Sequence, residues 1–212
     1  MNGGDDVWMT GRGLLISVEG IDGTGKTTQV RLLKEWFGEH GRKAVVFKEP
    51  TEGPYGKEIA RRAAAGVLSP DEELKLFMQD RTEDVRDRIG PALAAGNVVI
   101  MDRYYQSNMA YQGARGLDVG KIKEANERFA PVPDLIIVLD IDPGRSLARV
   151  RACRDMVGHF ENEAYLGKVR DIFLRIGRGP NAVVIDADAP VEEVRRRIVK
   201  AVEERLPQTS AL

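Results

Sequence analysis

The stretch GLLISVEGIDGTGKTTQV, Gly13 to Val30, restricts what this chain can fold into more than any other part of it. Leu14, Leu15, Ile16 and Val18 make a short apolar run of the kind that becomes a buried strand, and the residues from Thr27 onward carry a helical pattern. Between them, Gly20, Gly25, Lys26 and Thr27 fit G-x-x-x-x-G-K-[ST]. A backbone that wraps a phosphate must turn successive N–H groups inward, and glycine tolerates the angles this demands. The helix that follows aims its free N–H groups and positive dipole end at the same anion. Lys26 adds a mobile charge for the terminal phosphates, and the Thr27 hydroxyl can ligate Mg2+. A glycine-rich turn with a chance lysine is the competing reading, and the strand before and helix after it weigh against that. The stretch therefore predicts a site for a nucleoside triphosphate with Mg2+, built from Gly20, Ile21, Asp22, Gly23, Thr24, Gly25, Lys26, Thr27 and Thr28.

Four more short apolar runs follow, Ala44–Phe47, Val98–Met101, Leu135–Leu139 and Ala182–Ile185, all rich in β-branched residues. Such runs suit strands covered on both faces of a parallel sheet. Helical patterns lie between them at Thr27–Phe37, Gly56–Ala65, Asp71–Ile89, Val119–Phe129, Pro143–Arg151, Glu163–Ile176 and Val191–Leu206. The alternation predicts an α/β fold, a doubly wound five-stranded parallel sheet flanked by helices, with ligands at the carboxyl ends of its strands. A length of 212 residues suits one such domain, expected over residues 13–206, with a loose extension at 1–12 and a tail at 207–212. With 32 basic and 33 acidic residues, the net charge of −1 gives no reason to expect nucleic acid or an acidic membrane as a partner. No apolar run reaches the length of a membrane span, and the acidic start lacks the apolar core of a secretory signal. The single cysteine, Cys153, points to a reducing compartment, so a cytoplasmic location is expected.

The reaction is carried by two further strings. In VVIMDRYYQSNMAYQGARG, a predicted strand ends in Asp102 and Arg103, which places both charges at the ligand edge of the sheet. There the aspartate can hold Mg2+ through water and the arginine can neutralise phosphate charge, where a surface ion pair is the plainer alternative. In SPDEELKLFMQDRTEDVRDRI, Ser69 can cap a helix that has Pro70 in its first turn and Asp71, Glu72 and Glu73 against the dipole. Its inward stripe is expected at Leu74, Phe77 or Met78, Val85 and Ile89, with Arg81 four residues after Phe77. An arginine on such a stripe either snorkels to solvent or meets a buried anion, while Phe77 taken alone reads as core.

These residues together resemble the thymidylate (dTMP) kinase family of P-loop NTPases, over roughly residues 13 to 205. The resemblance rests on E-G-x-[DE]-G-x-G-K-T at Glu19 to Thr27, F-x-x-x-R at Phe77 and Arg81, and D-R-[YH]-x-x-S-x-x-A-Y-Q-G at Asp102 to Gly113. It implies ATP-dependent phosphorylation of dTMP to dTDP, with Mg2+ held by Thr27 and Asp102. It also implies that Asp22 binds the sugar 3′-hydroxyl, Phe77 stacks on thymine, and Arg81 reaches the base carbonyl and acceptor phosphate. Asn108 would lie near the base edge beside Gln112, and Tyr111 would crowd the 2′ position. Lys26 and Arg103 would act on the phosphates in flight, and a homodimer is expected.

Two departures stand out. Many bacterial members carry T-R-E-P-G-G where this chain reads FKEPTEG, so Lys48 replaces an arginine at the acceptor phosphate. The arginine-rich lid over ATP, expected at about residues 145–165 as a helical segment, has His159 where arginine is common. Some relatives place an arginine inside the phosphate loop, where this chain has Gly23, so a lid arginine must supply the transition-state charge. Arg149, Arg151 and Arg154 precede GHFE, and Arg151 or Arg154 is expected to act. A kinase for another pyrimidine monophosphate is the alternative. A GTPase-like switch would need an N-K-x-D motif, which the chain lacks.

Overall fold

The computed structural model describes residues 13–66, 68–153 and 162–206. β1 (Leu14–Glu19) leads through the glycine-rich loop into α1 (Lys26–Glu39), and β2 (Ala44–Lys48) is followed by α2 (Pro54–Ala64) and α3 (Pro70–Asp84). A π-helical turn at Val85–Ile89 and the short α4 (Gly90–Ala94) precede β3 (Val98–Asp102), then α5 (Tyr105–Ala114) and α6 (Val119–Glu127). β4 (Leu135–Asp140), α7 (Pro143–Cys153), α8 (Glu163–Ile176), β5 (Ala182–Asp186) and α9 (Val191–Arg205) complete the order. The strands form one parallel sheet ordered β2-β3-β1-β4-β5. β1 is central, so the loops after β1 and β3 open at the carboxyl edge where ligands of such sheets bind.

Side chains alternate across the sheet with the period of two that a strand imposes. Leu14, Ile16 and Val18 join Val98, Ile100, Ile137 and Leu139 against Val30, Leu33 and Phe37 of α1 and Val194 and Ile198 of α9. On the other face, Leu15, Val99 and Met101 meet Ile89, Tyr105 and Ile122, while Ile136 and Val138 meet Leu166, Val169 and Phe173 of α8. The central strands are buried as expected, but β2 and β5 are only partly so. They stand at the edges, with a neighbour on one side only, and the expectation of burial on both faces does not extend to them.

Two helical assignments change. The continuous helix expected over Asp71–Ile89 gives way to a π turn at Val85, where the Gly90 amide donates to the Val85 carbonyl. Pro91 accounts for this, because it has no N–H to offer and its ring crowds the carbonyl one turn earlier. The second change is α5, for which the sequence shows no apolar periodicity. Its buried positions include Gln106, Ser107, Asn108 and Gln112, so the helix packs a polar face inward.

α3 does the same. Ser69 caps it as the sequence predicts, accepting from the Glu72 amide, and the Glu72 carboxylate in return accepts from the Ser69 amide. Its fully buried residues, however, are Glu73, Asp80, Arg81 and Asp84, while Leu74, Phe77, Met78 and Val85 of the expected stripe are only half-buried. The two polar faces of α3 and α5 meet over the carboxyl edge of the sheet. Among the described residues, no helix is long and apolar enough to cross a membrane.

Candidate active site

The phosphate loop is shaped by its glycines. Gly20 has φ 139°, and a Cβ there would lie 2.4 Å from the Leu139 carbonyl. Gly23 has φ 78°, and a Cβ would lie 2.7 Å from the Ser146 carbonyl of α7. This packing gives a physical reason why the position carries no arginine. Ile21 is buried in the core, and the Thr24 hydroxyl donates to the Ile21 carbonyl at 3.0 Å. Gly25 opens α1 with no side-chain cap and no acidic residue in the first turn, and Thr28 is exposed on that turn. The amide end of α1 therefore faces the loop with no cap side chain of its own.

Lys26, expected as a charge for the terminal phosphates, folds back on the loop itself. It is buried, and its Nζ donates to the Gly20 and Ile21 carbonyls at 3.0 and 2.8 Å. Burial pulls its ammonium down to about 7, helped by the Arg103 charge and opposed by Asp22, Asp102 and Glu19. Beside it, the parallel register sets Val18 opposite Asp102, and the Thr27 hydroxyl donates to Asp102 Oδ2 at 2.6 Å. Among the described residues there is no cluster of three or more His, Cys, Asp or Glu suited to a metal. A hydroxyl and one carboxylate fit a hard cation that takes its other ligands from phosphate and water.

Arg103 joins the loop to the acceptor side. Its φ of 73° is left-handed, a conformation that costs a non-glycine residue roughly 1–2 kcal/mol. Its guanidinium donates to the Gly20 carbonyl and Ser107 Oγ, each at 3.1 Å, and to Asp22 Oδ1 at 2.5 Å. It also lies over the Tyr111 ring, 5.2 Å from the centroid. The strand-end carboxylate Glu19, to which the sequence reading gave no role, anchors this turn by accepting from the Tyr104 amide at 2.8 Å and Ser107 Oγ at 2.7 Å. Burial pushes Glu19 up to about 7, against the opposing pull of Ser107 and Arg103. An acid on the last residue of a mostly apolar strand was the available signal.

Beyond Arg103 opens a cavity of about 600 Å³, counted with its mouth, lined by Asp22, Phe77, Arg81, Asn108, Tyr111 and Gln112 among others. The site residues expected around the acceptor therefore come together, with one exception. Lys48 is exposed at the end of β2 and is not among the lining residues; Glu49 and Pro50 line the wall there. Phe77 is half-buried on this wall rather than in the core. Arg81 meets a buried anion, and that anion is Glu49, which accepts from Nε at 2.9 Å and from Nη2. Arg81 also donates to Asn126 of α6 and, at 2.8 Å, to Asn108 Oδ1, so most of its donors are engaged within the protein. Burial pushes the Glu49 carboxyl up to about 7, with Arg81 pulling the other way. Tyr111 packs edge-on against Phe173, and burial raises its phenol to about 12.

Of the expected lid, residues 145–153 are nearly all of α7, and 162–165 are the cap and first residues of α8; Arg154 and His159 lie outside the described residues. Arg151 is exposed near the end of α7. Arg149 is tied to the Ala187 carbonyl at 3.2 Å and to Asp188 at 3.4 Å, and Ser146 Oγ donates to the Asp22 carbonyl. α7 thus docks directly on the phosphate loop.

The thymidylate kinase family model matches residues 18–198. The chain is 48% identical over 190 residues to a "probable thymidylate kinase" of Archaeoglobus fulgidus, covering 90% of this chain and 95% of that protein. It is 45% identical over 202 residues to a thymidylate kinase of Xanthomonas campestris pv. campestris, covering 93% and 88%. A thymidylate kinase of Xanthomonas oryzae pv. oryzae is 46% identical over 198 residues, covering 92% and 86%. With a phosphate loop, an Asp102–Arg103 strand end and an acceptor cavity joined on one sheet edge, and with relatives matched along nearly their whole length, the chain belongs to the thymidylate kinase family.

Proposed function

We propose that this chain transfers the terminal phosphoryl group of ATP to dTMP, giving ADP and dTDP, by direct in-line transfer without a covalent enzyme intermediate. The observation that carries this is Arg103, whose guanidinium touches the phosphate-loop carbonyl of Gly20 and, through Asp22 and Tyr111, the wall of the acceptor cavity. One cation thus stands between a donor site and an acceptor site. Phosphoryl transfer asks for this placement, because charge spreads over the equatorial oxygens while the two oxygens stay in line.

Gly20 to Thr28 cradle the ATP phosphates, with Lys26 reaching the terminal ones. Thr27 and Asp102 are the residues that would hold Mg2+, which neutralises charge on the β- and γ-phosphates when bound. In the cavity, Phe77 offers a face for the base, while Arg81, Asn108 and Gln112 offer hydrogen bonds to its edge. Asp22 binds the 3′-hydroxyl, Tyr111 excludes a 2′-hydroxyl, and Lys48 guides the acceptor phosphate at the mouth. Either Arg151 or Arg154 supplies the lid cation that Gly23 leaves to be supplied. One kinase unit spans residues 13–206, flanked by 1–12 and 207–212, with the lid at about 145–165. Homodimeric assembly and a cytoplasmic location belong to the same reading.

The test is a panel of nucleoside monophosphates with ATP and Mg2+. The expected result is the highest kcat/KM on dTMP, and a higher value on dCMP or dUMP would assign the chain to another pyrimidine nucleotide.

A further inference from the structure

Resting on the acceptor site just proposed, we infer that Glu73 is a specificity-determining residue that fixes the polarity of the base-facing amides and so selects keto over amino pyrimidines. Glu73 is buried in the cavity wall on α3, where no motif of the sequence singles it out. Its Oε2 accepts from Gln112 Nε2 at 3.0 Å and from Arg115 Nη1 at 2.5 Å. Gln112 Oε1 accepts in turn from Asn108 Nδ2 at 3.1 Å, and Asn108 Oδ1 accepts from Arg81 Nη2 at 2.8 Å.

This chain of bonds can run in only one direction. A guanidinium only donates, so Asn108 must turn its oxygen to Arg81 and its NH2 to Gln112. A carboxylate paired with Arg115 only accepts, so Gln112 must turn its NH2 to Glu73 and its oxygen to Asn108. Flipping both amides would set NH2 against guanidinium and oxygen against carboxylate, two repulsive contacts in a buried site. Arg81 and Glu73 are therefore the two ends that lock both amides, and Glu49 and Arg115 hold those ends in turn.

The lock matters because the amides line the cavity. Each retains one N–H and one lone pair of fixed identity and place. Thymine and uracil present an O4 acceptor and an N3–H donor, whereas cytosine presents a 4-amino donor and an N3 acceptor. A rigid donor–acceptor pattern rejects the reversed edge, while amides free to turn over accommodate either.

The test compares kcat/KM for dTMP and dCMP in the wild-type protein and in Glu73→Gln, whose amide can donate or accept. The dTMP/dCMP ratio is expected to fall by about tenfold or more, the scale of a mispaired buried hydrogen bond. The change should fall mainly in the nucleoside-monophosphate KM, with the KM for ATP unmoved, and Glu73→Asp should restore part of the ratio. A ratio within twofold of wild type in a folded Glu73→Gln protein would overturn the inference. If Glu73→Gln does not fold, the double variant Glu73→Met, Arg115→Met removes the pair together and is read by the same ratio and the same threshold. A wild-type protein that ignores dTMP would overturn the proposed function instead, so the two failures are distinguishable.

Discussion

The phosphate loop and the acceptor cavity share the carboxyl edge of one sheet and are built on opposite principles. The loop is a contiguous run of nine residues, Gly20 to Thr28, whose function lies in backbone geometry: two positive-φ glycines pressed against the carbonyls of Leu139 and Ser146, and a lysine folded back on its own loop. The cavity is assembled from separate segments, the residues just after β2, α3, the turn after β3, α5 and Asp22 of the loop, and its order comes from buried charges. Arg81 and Glu49 pair where both are almost fully buried. Such a pair rarely adds net stability over an apolar replacement, but losing one partner is costly, which makes it a device for fixing geometry. The fold of the loop tolerates side-chain change wherever its backbone is spared; the cavity cannot lose Arg81 or Glu49 without stranding the other in a buried site.

The sharpest break between the two regions should come from Lys26→Ala. Losing this charge removes a partner of the transferring phosphoryl group, so kcat should fall by roughly a hundredfold to a thousandfold. The melting temperature should hold or rise, because a buried ammonium is costly to desolvate. Near-normal turnover in steady-state assays would remove Lys26 from the chemistry.

In the cavity the order of effects should reverse, with stability lost before turnover. Glu49→Ala leaves the Arg81 guanidinium buried without its carboxylate and should destabilise the protein by about 3–5 kcal/mol, read by denaturant unfolding. The KM for dTMP should rise about tenfold as Arg81 loses its orientation, while the KM for ATP stays put. Glu49→Gln, which keeps an acceptor, should lose less on both counts. An unchanged unfolding curve for Glu49→Ala would mean that Asn108 and Asn126 hold the arginine by themselves.

A smaller effect is expected at Tyr111, where the ring lies beneath Arg103 and against Phe173. Tyr111→Ala should lower the preference for deoxyribose over ribose acceptors by about tenfold, measured as the ratio of kcat/KM values. Equal preference in variant and wild type would make the ring a support for Arg103 alone.

The smallest effect is a proton. Lys26 at about 7 lies below its ordinary 10.5, so at pH 8 the site without nucleotide holds it mostly neutral, and at pH 6 mostly charged. Bound triphosphate favours the charged form, so ATP binding should take up close to one proton at pH 8 and almost none at pH 6. Calorimetry in two buffers of different ionisation enthalpy reads this directly. The same sign holds for folding: between pH 7 and 10.5 the unfolded lysine binds more protons, so this group makes stability rise with pH over that window. Glu19 acts oppositely between 4.5 and 7, where the folded state binds the extra proton and stability falls as pH rises.

The sequence by itself determined the strand alternation, the five-stranded parallel sheet, the glycine loop and the Ser69 cap. Each rests on signals confined to a few neighbouring residues: apolar runs, a φ that only glycine adopts freely, a side chain within reach of its own helix's first amides. Motif likeness also picked out Phe77, Arg81, Asn108, Tyr111 and Gln112, which line one cavity. What only the tertiary structure decided is what those residues touch. α5 and the inner face of α3 escaped the apolar pattern because polar side chains are buried there, and burial of a polar group depends on a partner distant in sequence. Glu49 lies 32 residues from Arg81, Glu73 lies 39 from Gln112, and Glu19 lies 88 from Ser107. No local pattern encodes such pairs, because a carboxylate becomes an anchor only when the fold takes it out of water and sets a donor beside it.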